Sequence, residues 1–419
     1  MNSPTRKSAS TAAGAPARVS RRNFLKQSAG ATGGLVLGFH LPLMGQQALA
    51  QGAAAATMPP EINAWVVIQP DDRVVIRIAR SEMGQGTLTG LAQLVAEELE
   101  CDWAKVTTEY PTPGQNLKRE RVWGDFSTGG SRGIRQSHDY VRKGGAAARM
   151  ALMQAAADGW KVPVAECSVS KGVITHGPSK RSTTYGKVAV AASKLPQPKD
   201  IMLKPAKDWK IAGKRIARLD TVDKTTGKQV YGMDLKLPGM LNAAMTDCPI
   251  FGGKVKSFDE AAVMKRPGVK KVVRVGDSGV AVIADTWWRA KTALDALKVE
   301  WDPGPNAKAS SEAFAEVLNE ALESTDAVIG NDVGNAVSAI DNAARRIEAV
   351  YSYPHQNHAC MEVMNATVKW TSERCEVWLP TQNGEAALAA TAEAWRALAT
   401  SRGARLRPGD LALVDWSLR

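Results

Sequence analysis

Two glycine-rich stretches carry the residue types that could do chemistry. The first is Glu82-Met83-Gly84-Gln85-Gly86 and the second is Gly124-Asp125-Phe126-Ser127-Thr128-Gly129-Gly130-Ser131-Arg132. Glycines let backbone amides close on a ligand, and a helix that begins just after such a loop offers unpaired N–H groups to an anion such as a pyrophosphate. In the second stretch, hydroxyls, small residues and a guanidinium make a comparable cradle for phosphate or ring heteroatoms. Taken singly, the first also fits a tight turn and the second an N-cap with surface hydroxyls. Two such loops within about fifty residues favour a ligand over two unrelated turns. The first is not the G-x-G-x-x-G dinucleotide fingerprint, because Gly90 falls one residue too late.

The elements that must position these loops follow from patterning. Ile62 to Gln69 and Arg73 to Arg80 are rich in β-branched residues and predict a hairpin about Pro70-Asp71-Asp72. Leu88, Leu91, Leu94, Val95 and Leu99 have helical spacing, so a helix is expected over Thr87 to Leu99, directly after the first loop. The second loop leads into a long helix expected from about Gly133 to Trp160. From Gly213 strands are expected at Val230 to Asp234, Met240 to Thr246, Lys271 to Val275, Val280 to Ala284 and Lys298 to Trp301. A helix at Thr286 to Leu297 completes that compact α+β module, with Trp287 and Trp288 filling its core. Asp302-Pro303-Gly304-Pro305 ends it, a helix follows at about Ser310 to Leu322, and another pattern begins at Glu385 to Glu393.

The N-terminus predicts a compartment. Ser20-Arg21-Arg22-Asn23-Phe24-Leu25-Lys26, the weakly apolar run Ala29 to Leu43 and the small-residue site Ala48-Leu49-Ala50 fit a twin-arginine signal peptide over residues 1–50. That route exports folded proteins, so a periplasmic protein loaded with a cofactor is expected, with residues 51–60 as a linker. The run is too short for the roughly 20 apolar residues of a membrane crossing, and no later segment reads as transmembrane. The formal charge of +12 divides into six positive charges in the leader, a net +3 in residues 394–419 and only +3 in residues 51–393, which argues against a nucleic-acid partner. Cys101, Cys167, Cys248, Cys360 and Cys375 are widely spaced and predict mostly buried thiols, not metal or iron-sulfur ligands.

A set of motifs in order along the chain resembles a known family. Beside the two loops stand Arg218-Leu219-Asp220 through Thr226-Gly227-Lys228, and Tyr231-Gly232-Met233-Asp234. Further on come His358-Ala359-Cys360-Met361-Glu362 and Trp378-Leu379-Pro380-Thr381-Gln382. Together these resemble the molybdopterin-binding large subunit of the xanthine dehydrogenase and aldehyde oxidase family, in the exported branch that includes the isoquinoline 1-oxidoreductase beta subunit. The resemblance implies an α+β fold in which molybdopterin-binding segments surround an a/b hammerhead domain: residues 61–205 and 310–393 would be the molybdopterin-binding parts and 213–302 the hammerhead. It implies molybdenum-molybdopterin cytosine dinucleotide as cofactor, contacted by Gly84, Gln85, Gly86, Thr128, Gly129, Gly130, Ser131, Arg132, Thr381 and Gln382, with Gln356 near the molybdenum. The metal would be held by the cofactor, which is why no protein ligand cluster is expected. A molybdenum hydroxylase of this kind oxidises an N-heteroaromatic or aldehyde substrate with oxygen from water. It passes electrons to a small subunit bearing [2Fe-2S] clusters, and a c-type cytochrome is a further partner in some arrangements.

Some of these residues also have plainer readings. His358, beside Met361 and Met364, fits a hydrogen-bonded core residue; Glu362 fits a structural acid with a backbone or arginine partner; Thr381 and Gln382 fit the close of a strand. The family's glycine-rich G-G-G-F-G segment and late base glutamate do not occur. Residues 394–419 have a different texture, with five arginines and no lysine, and are expected to be an unrelated tail produced by a frameshift or premature stop. On that expectation the chain alone is inactive, and the alternative to a working large subunit is a non-catalytic remnant or half-subunit that needs a second polypeptide. A quinone-dependent propeller dehydrogenase is a weaker option, since no blade repeat is present.

Overall fold

The computed structural model describes residues 60–371, 375–401 and 413–415, with backbone alone for 397–401 and 413–415. The leader expected at 1–50, nearly all of the linker and most of the tail lie outside these residues.

The expected hairpin forms as β1 (Val66–Ile68) and β2 (Val74–Arg77), antiparallel with Val66 opposite Ile76. Asp72 N–H donates to the Gln69 carbonyl at 3.0 Å and closes the turn. Helix α1 (Thr87–Leu99) follows, and β3 (Val106–Glu109) then pairs parallel with β2. Parallel neighbours need a crossover, and α1 is that crossover. The first glycine loop therefore lies past the carboxyl end of β2, the side on which open sheets receive ligands.

After the short α2 (Pro113–Lys118), the second loop leads into α3 (Arg132–Arg135) and then α4 (His138–Trp160). The single helix expected from Gly133 is thus broken at Gln136 and Ser137. Ser137 is buried, and its hydroxyl accepts from Arg80 Nε at 3.1 Å and from the Tyr140 hydroxyl at 2.6 Å, a local demand that helical spacing does not reveal. Ile68, Ile76, Leu91, Leu99, Trp123 and Leu152 are core residues here. Gly144 and Gly145 let α4 lie close, because a methyl group at Gly144 would strike the Trp65 ring and one at Gly145 the Val95 carbonyl. Strands β4 (Cys167–Ser170), β5 (Val173–His176) and β6 (Arg181–Thr184), then α5 (Tyr185–Ala192), complete this part and were not anticipated. Their short polar strands bury little apolar surface, so alternation is weak.

The next part begins with α6 (Thr221–Thr226) and contains β7 (Asn242–Asp247), β8 (Lys254–Phe258), α7 (Ala261–Met264), β9 (Val269–Val275), β10 (Gly279–Ala284), α8 (Trp287–Ala296) and β11 (Val299–Asp302). The central β10 pairs antiparallel with both β7 and β9, and β11 pairs with β8. Val230 to Asp234 is not a strand; its end is a tight helical turn at Gly232–Asp234. Helix α8 turns Ala290, Ala293 and Leu294 inward, so Trp287 and Trp288 stand 56% and 68% exposed instead of filling the core.

Helices α9 (Ser311–Leu322) and α10 (Ala336–Asp341) come before β12 (Thr367–Trp370), β13 (Cys375–Trp378), α11 (Gly384–Ser401) and β14 (Leu413–Asp415). The change of composition at Ala394 does not end the helix begun at Gly384. α11 runs through it to Ser401, and Trp395, 4% exposed, packs in a small core with Cys375, Val377 and Leu388. Among the described residues no helix is long and apolar enough to cross a membrane. Cys101, Cys167 and Cys375 are buried, Cys248 is half-buried and Cys360 exposed, all as free thiols. Burial pushes the Cys101 thiol up to about 12.

Candidate functional site

Three motifs far apart in sequence meet at one junction. Ser81 N–H donates to the Thr128 hydroxyl at 2.9 Å, and the Ser81 hydroxyl donates to the Thr381 carbonyl at 2.8 Å. Thr128 N–H donates to the Gln382 carbonyl at 2.7 Å, while Gln382 Nε2 returns a bond to the Thr128 carbonyl at 2.8 Å. Ser127 and Asn383 add an antiparallel bridge. Thr381 and Gln382 therefore do more than close β13: they clamp the second loop to the first.

Arg80 supports this junction from below and was missed by motif reasoning. Its side chain is 4% exposed and pairs with Asp125 at 2.7 Å, while it also donates to the Asp125 carbonyl at 3.1 Å and to the Ser127 carbonyl. Burial works against ionisation of Asp125, but the Arg80 bond and the Ser127 amide outweigh it and hold its carboxyl below the usual range. A buried arginine satisfied by carbonyls and one carboxylate fixes loop geometry through several strong bonds at once.

The two loops differ in what they leave free. At the first, Glu82 is buried, and its carboxylate accepts from the amides of Gly84 at 2.7 Å, Gly86 at 2.9 Å and Leu88 at 2.9 Å. The head of α1, expected to offer unpaired N–H groups to an anion, is thus already served by the chain's own carboxylate. Gln85 is likewise turned inward, accepting from Met83 N–H at 2.5 Å and donating to the Ser81 carbonyl at 3.0 Å. Gly84 (φ 97°) and Gly86 (φ 89°) are left-handed, a conformation that glycine adopts without strain.

At the second loop, among the described residues nothing accepts from the amides of Gly129, Gly130 and Ser131. Gly130 (φ 55°) and Ser131 (φ 57°) are successive left-handed residues, and a methyl group added at Gly129 or Gly130 would meet open space. A curved run of free amides is a nest for an anionic or strongly accepting group. Arg132 folds back on Ser127 at 2.7 Å and on the Gly129 carbonyl at 3.2 Å, so it stiffens the nest as well as charging it.

The connector Arg218–Lys224 reaches the first loop from another direction. Arg218 donates to the Gly84 carbonyl at 2.9 Å and bridges Glu82 at 3.2 Å and Asp220 at 3.0 Å. Burial opposes ionisation of Asp220, yet bonds from Arg218 and Lys224 outweigh it and hold its carboxyl down at about 2. Gly232 N–H donates to Glu362 at 2.9 Å, and a side chain at Gly232 would press on Pro380, so this glycine allows a close approach. Glu362 is accordingly a structural acid with a backbone partner. His358 lies exposed, not in a core, in a stretch where Met361 and Met364 are also fully open. Gln356 is exposed in the same stretch, and among the described residues no hydrogen bond joins it to the junction. No cluster of three or more metal-ligating side chains gathers among the described residues.

Comparison with known proteins gives this geometry a context. Residues 26–232 match the family described as a molybdopterin cofactor-binding domain. Isoquinoline 1-oxidoreductase subunit beta of Brevundimonas diminuta is 29% identical over 411 residues, covering 87% of this chain and 52% of that protein. Membrane-bound aldehyde dehydrogenase [pyrroloquinoline-quinone] of Gluconacetobacter polyoxogenes is 29% identical over 379 residues, covering 85% and 46%. The chain therefore spans about half the length of these curated relatives. Among solved structures, quinoline 2-oxidoreductase from Pseudomonas putida 86 aligns at 20% identity with a TM-score of 0.32, covering 48% of this chain and 30% of that one.

Proposed function

This chain belongs with the molybdopterin-binding subunits of the xanthine oxidase family, and we propose that its Ser81–Thr128–Gln382 junction holds part of a molybdenum-molybdopterin cytosine dinucleotide. The observation that carries the reading is the free amide run at Gly129, Gly130 and Ser131 beside open space. Those donors suit phosphate oxygens or pterin heteroatoms, and they already stand free beside open space. Arg132 and Arg135 supply positive potential there, while Thr128 is held by Ser81 and Gln382 so that the nest keeps its curvature. When bound, the cofactor supplies two-electron oxidation of a substrate carbon with water as the oxygen source.

On this reading the chain is part of a molybdenum hydroxylase large subunit acting on an N-heteroaromatic or aldehyde substrate. Electrons pass to a separate iron-sulfur subunit, residues 213–302 form the hammerhead domain, and the protein is exported folded to the periplasm. The first and second loops, Thr381 and Gln382 are its cofactor contacts. Gln356 would approach the metal only if its exposed stretch is covered by further polypeptide.

One observation favours a second reading, a half-subunit completed by another polypeptide. Phe314, Val317, Leu318 and Leu322 form an apolar stripe along α9 that is 51 to 68% exposed, more than isolated surface residues would show. The test of both is the pterin and nucleotide content of the chain purified from a host that makes the cofactor. Release of cytidine monophosphate with oxidised pterin, near one equivalent, is expected for the first reading. Pterin that appears only after a second family polypeptide is supplied marks the second, and none in either preparation contradicts both.

A further inference from the structure

Glu82 has a specific geometry that the cofactor reading does not use. Its side chain is 1% exposed, and it meets three amides of the loop and helix start at 2.7 to 2.9 Å. A carboxylate placed so does what an incoming phosphate would do at the head of α1: it satisfies the N–H groups and answers the helix dipole. It leaves no net positive charge there to attract a second anion, since Glu82 with Arg218, Asp220 and Lys224 forms a charge-balanced set of two acids and two bases. Arg218 holds it from the far side, 136 residues along the chain, and ties the same guanidinium to the Gly84 carbonyl. The Gly129–Ser131 amides of the second loop carry no such acid; that loop's own carboxylate, Asp125, accepts from the Ser127 amide at 3.0 Å and is paired with Arg80. The two loops, joined at Ser81 and Thr128, therefore differ in whether the amides at the helix head are already taken up by a carboxylate.

We propose that Glu82 and Arg218 are positioning residues: Glu82 takes up the amides at the head of α1 so that the Met83–Gly86 loop meets the cofactor as uncharged backbone, and Arg218 locks the carboxylate in that role. The anionic part of the ligand is thereby directed to Gly129–Ser131. This rests on the cofactor reading given above, and it adds a division of labour between the loops.

The test uses the full chain with Glu82→Gln, Arg218→Gln and Arg218→Lys. Amide hydrogen exchange is read at Gly84, Gly86 and Leu88, and retained pterin is read after gel filtration. In Glu82→Gln the carboxamide cannot accept at both ends, so protection of these amides should fall at least tenfold and pterin retention severalfold. Arg218→Lys should recover retention in part and Arg218→Gln should not; Glu82→Gln, at a buried carboxylate, should lower the thermal midpoint, while the Arg218 variants, at a side chain 36% exposed, should stay closer to the parent. Unchanged protection in Glu82→Gln overturns the proposal, as does lost protection with full pterin retention. If the parent chain holds no pterin, the cofactor reading fails, and the exchange result alone then decides whether Glu82 governs the loop.

Discussion

Replacing Glu97 by alanine is expected to cost the fold about 3–5 kcal/mol, the range for breaking a buried charged pair, and to lower the thermal midpoint by about 10 °C. Glu97 lies on α1 with a side chain 1% exposed, paired with Lys204. Its second oxygen accepts from the amides of Lys210 at 2.8 Å, Ile211 at 2.5 Å and Ala212 at 3.0 Å. The alanine leaves three amides without partners, leaves Lys204 only Glu100 at 3.7 Å and the Glu97 carbonyl at 3.4 Å, and frees the connector that leads to Arg218. Burial works against the ionised form, but the Lys204 bond and the amides outweigh it and hold the Glu97 carboxyl below its ordinary value. A depressed carboxyl contributes stability that is fully present above the unfolded value near 4.5 and is lost as pH falls through the folded value. The gap between parent and Glu97→Ala in chemical denaturation should therefore narrow below pH 4.5. A gap under 1 kcal/mol at pH 7 would mean that the connector is held by something else.

The second large effect is expected at the contact of α1 with α4. A Gly145→Val side chain would run into the Val95 carbonyl and Glu98 Cβ, and α4 cannot slide away because Gly144 already lies against Trp65. Overpacking of a closed contact costs about 3 kcal/mol, which should appear as a matching shift in the denaturation midpoint. Gly159→Ala is the contrast. It is on the same helix with open space around it, and it should stabilise by up to about 1 kcal/mol through helix propensity. Equal loss in both variants would show that helix strain, not interhelical contact, sets the cost.

What was legible in the residues was local. The Leu88 to Leu99 spacing predicted α1 with both of its ends, and the turn Pro70-Asp71-Asp72 predicted the first hairpin, because one apolar face or one turn decides each. The mixed α+β character was legible for the same reason. The break before α4, the Arg80 anchor and the clamp from Thr381 and Gln382 were not, since they depend on partners 45 to 300 residues away. Trp287 and Trp288 misled because ring size suggests a core, whereas the pitch of α8 is set by Ala290, Ala293 and Leu294. The two glycine loops were found by composition. That the first loop's amides are already taken up could have been suspected from Glu82 alone, a carboxylate just before the glycines and five residues ahead of the helix start at Thr87, where it can fold onto the amides it precedes.

The most direct measurement of the central claim is pterin bound by Gly129→Val against the parent chain, both made in a host that supplies the cofactor. A Cβ at Gly129 meets no atom within 4 Å, so the fold is expected to tolerate the side chain and the thermal midpoint to stay within about 2 °C. If the Gly129–Ser131 nest holds the cofactor, the variant should retain at least tenfold less pterin. Equal pterin in variant and parent would contradict the account.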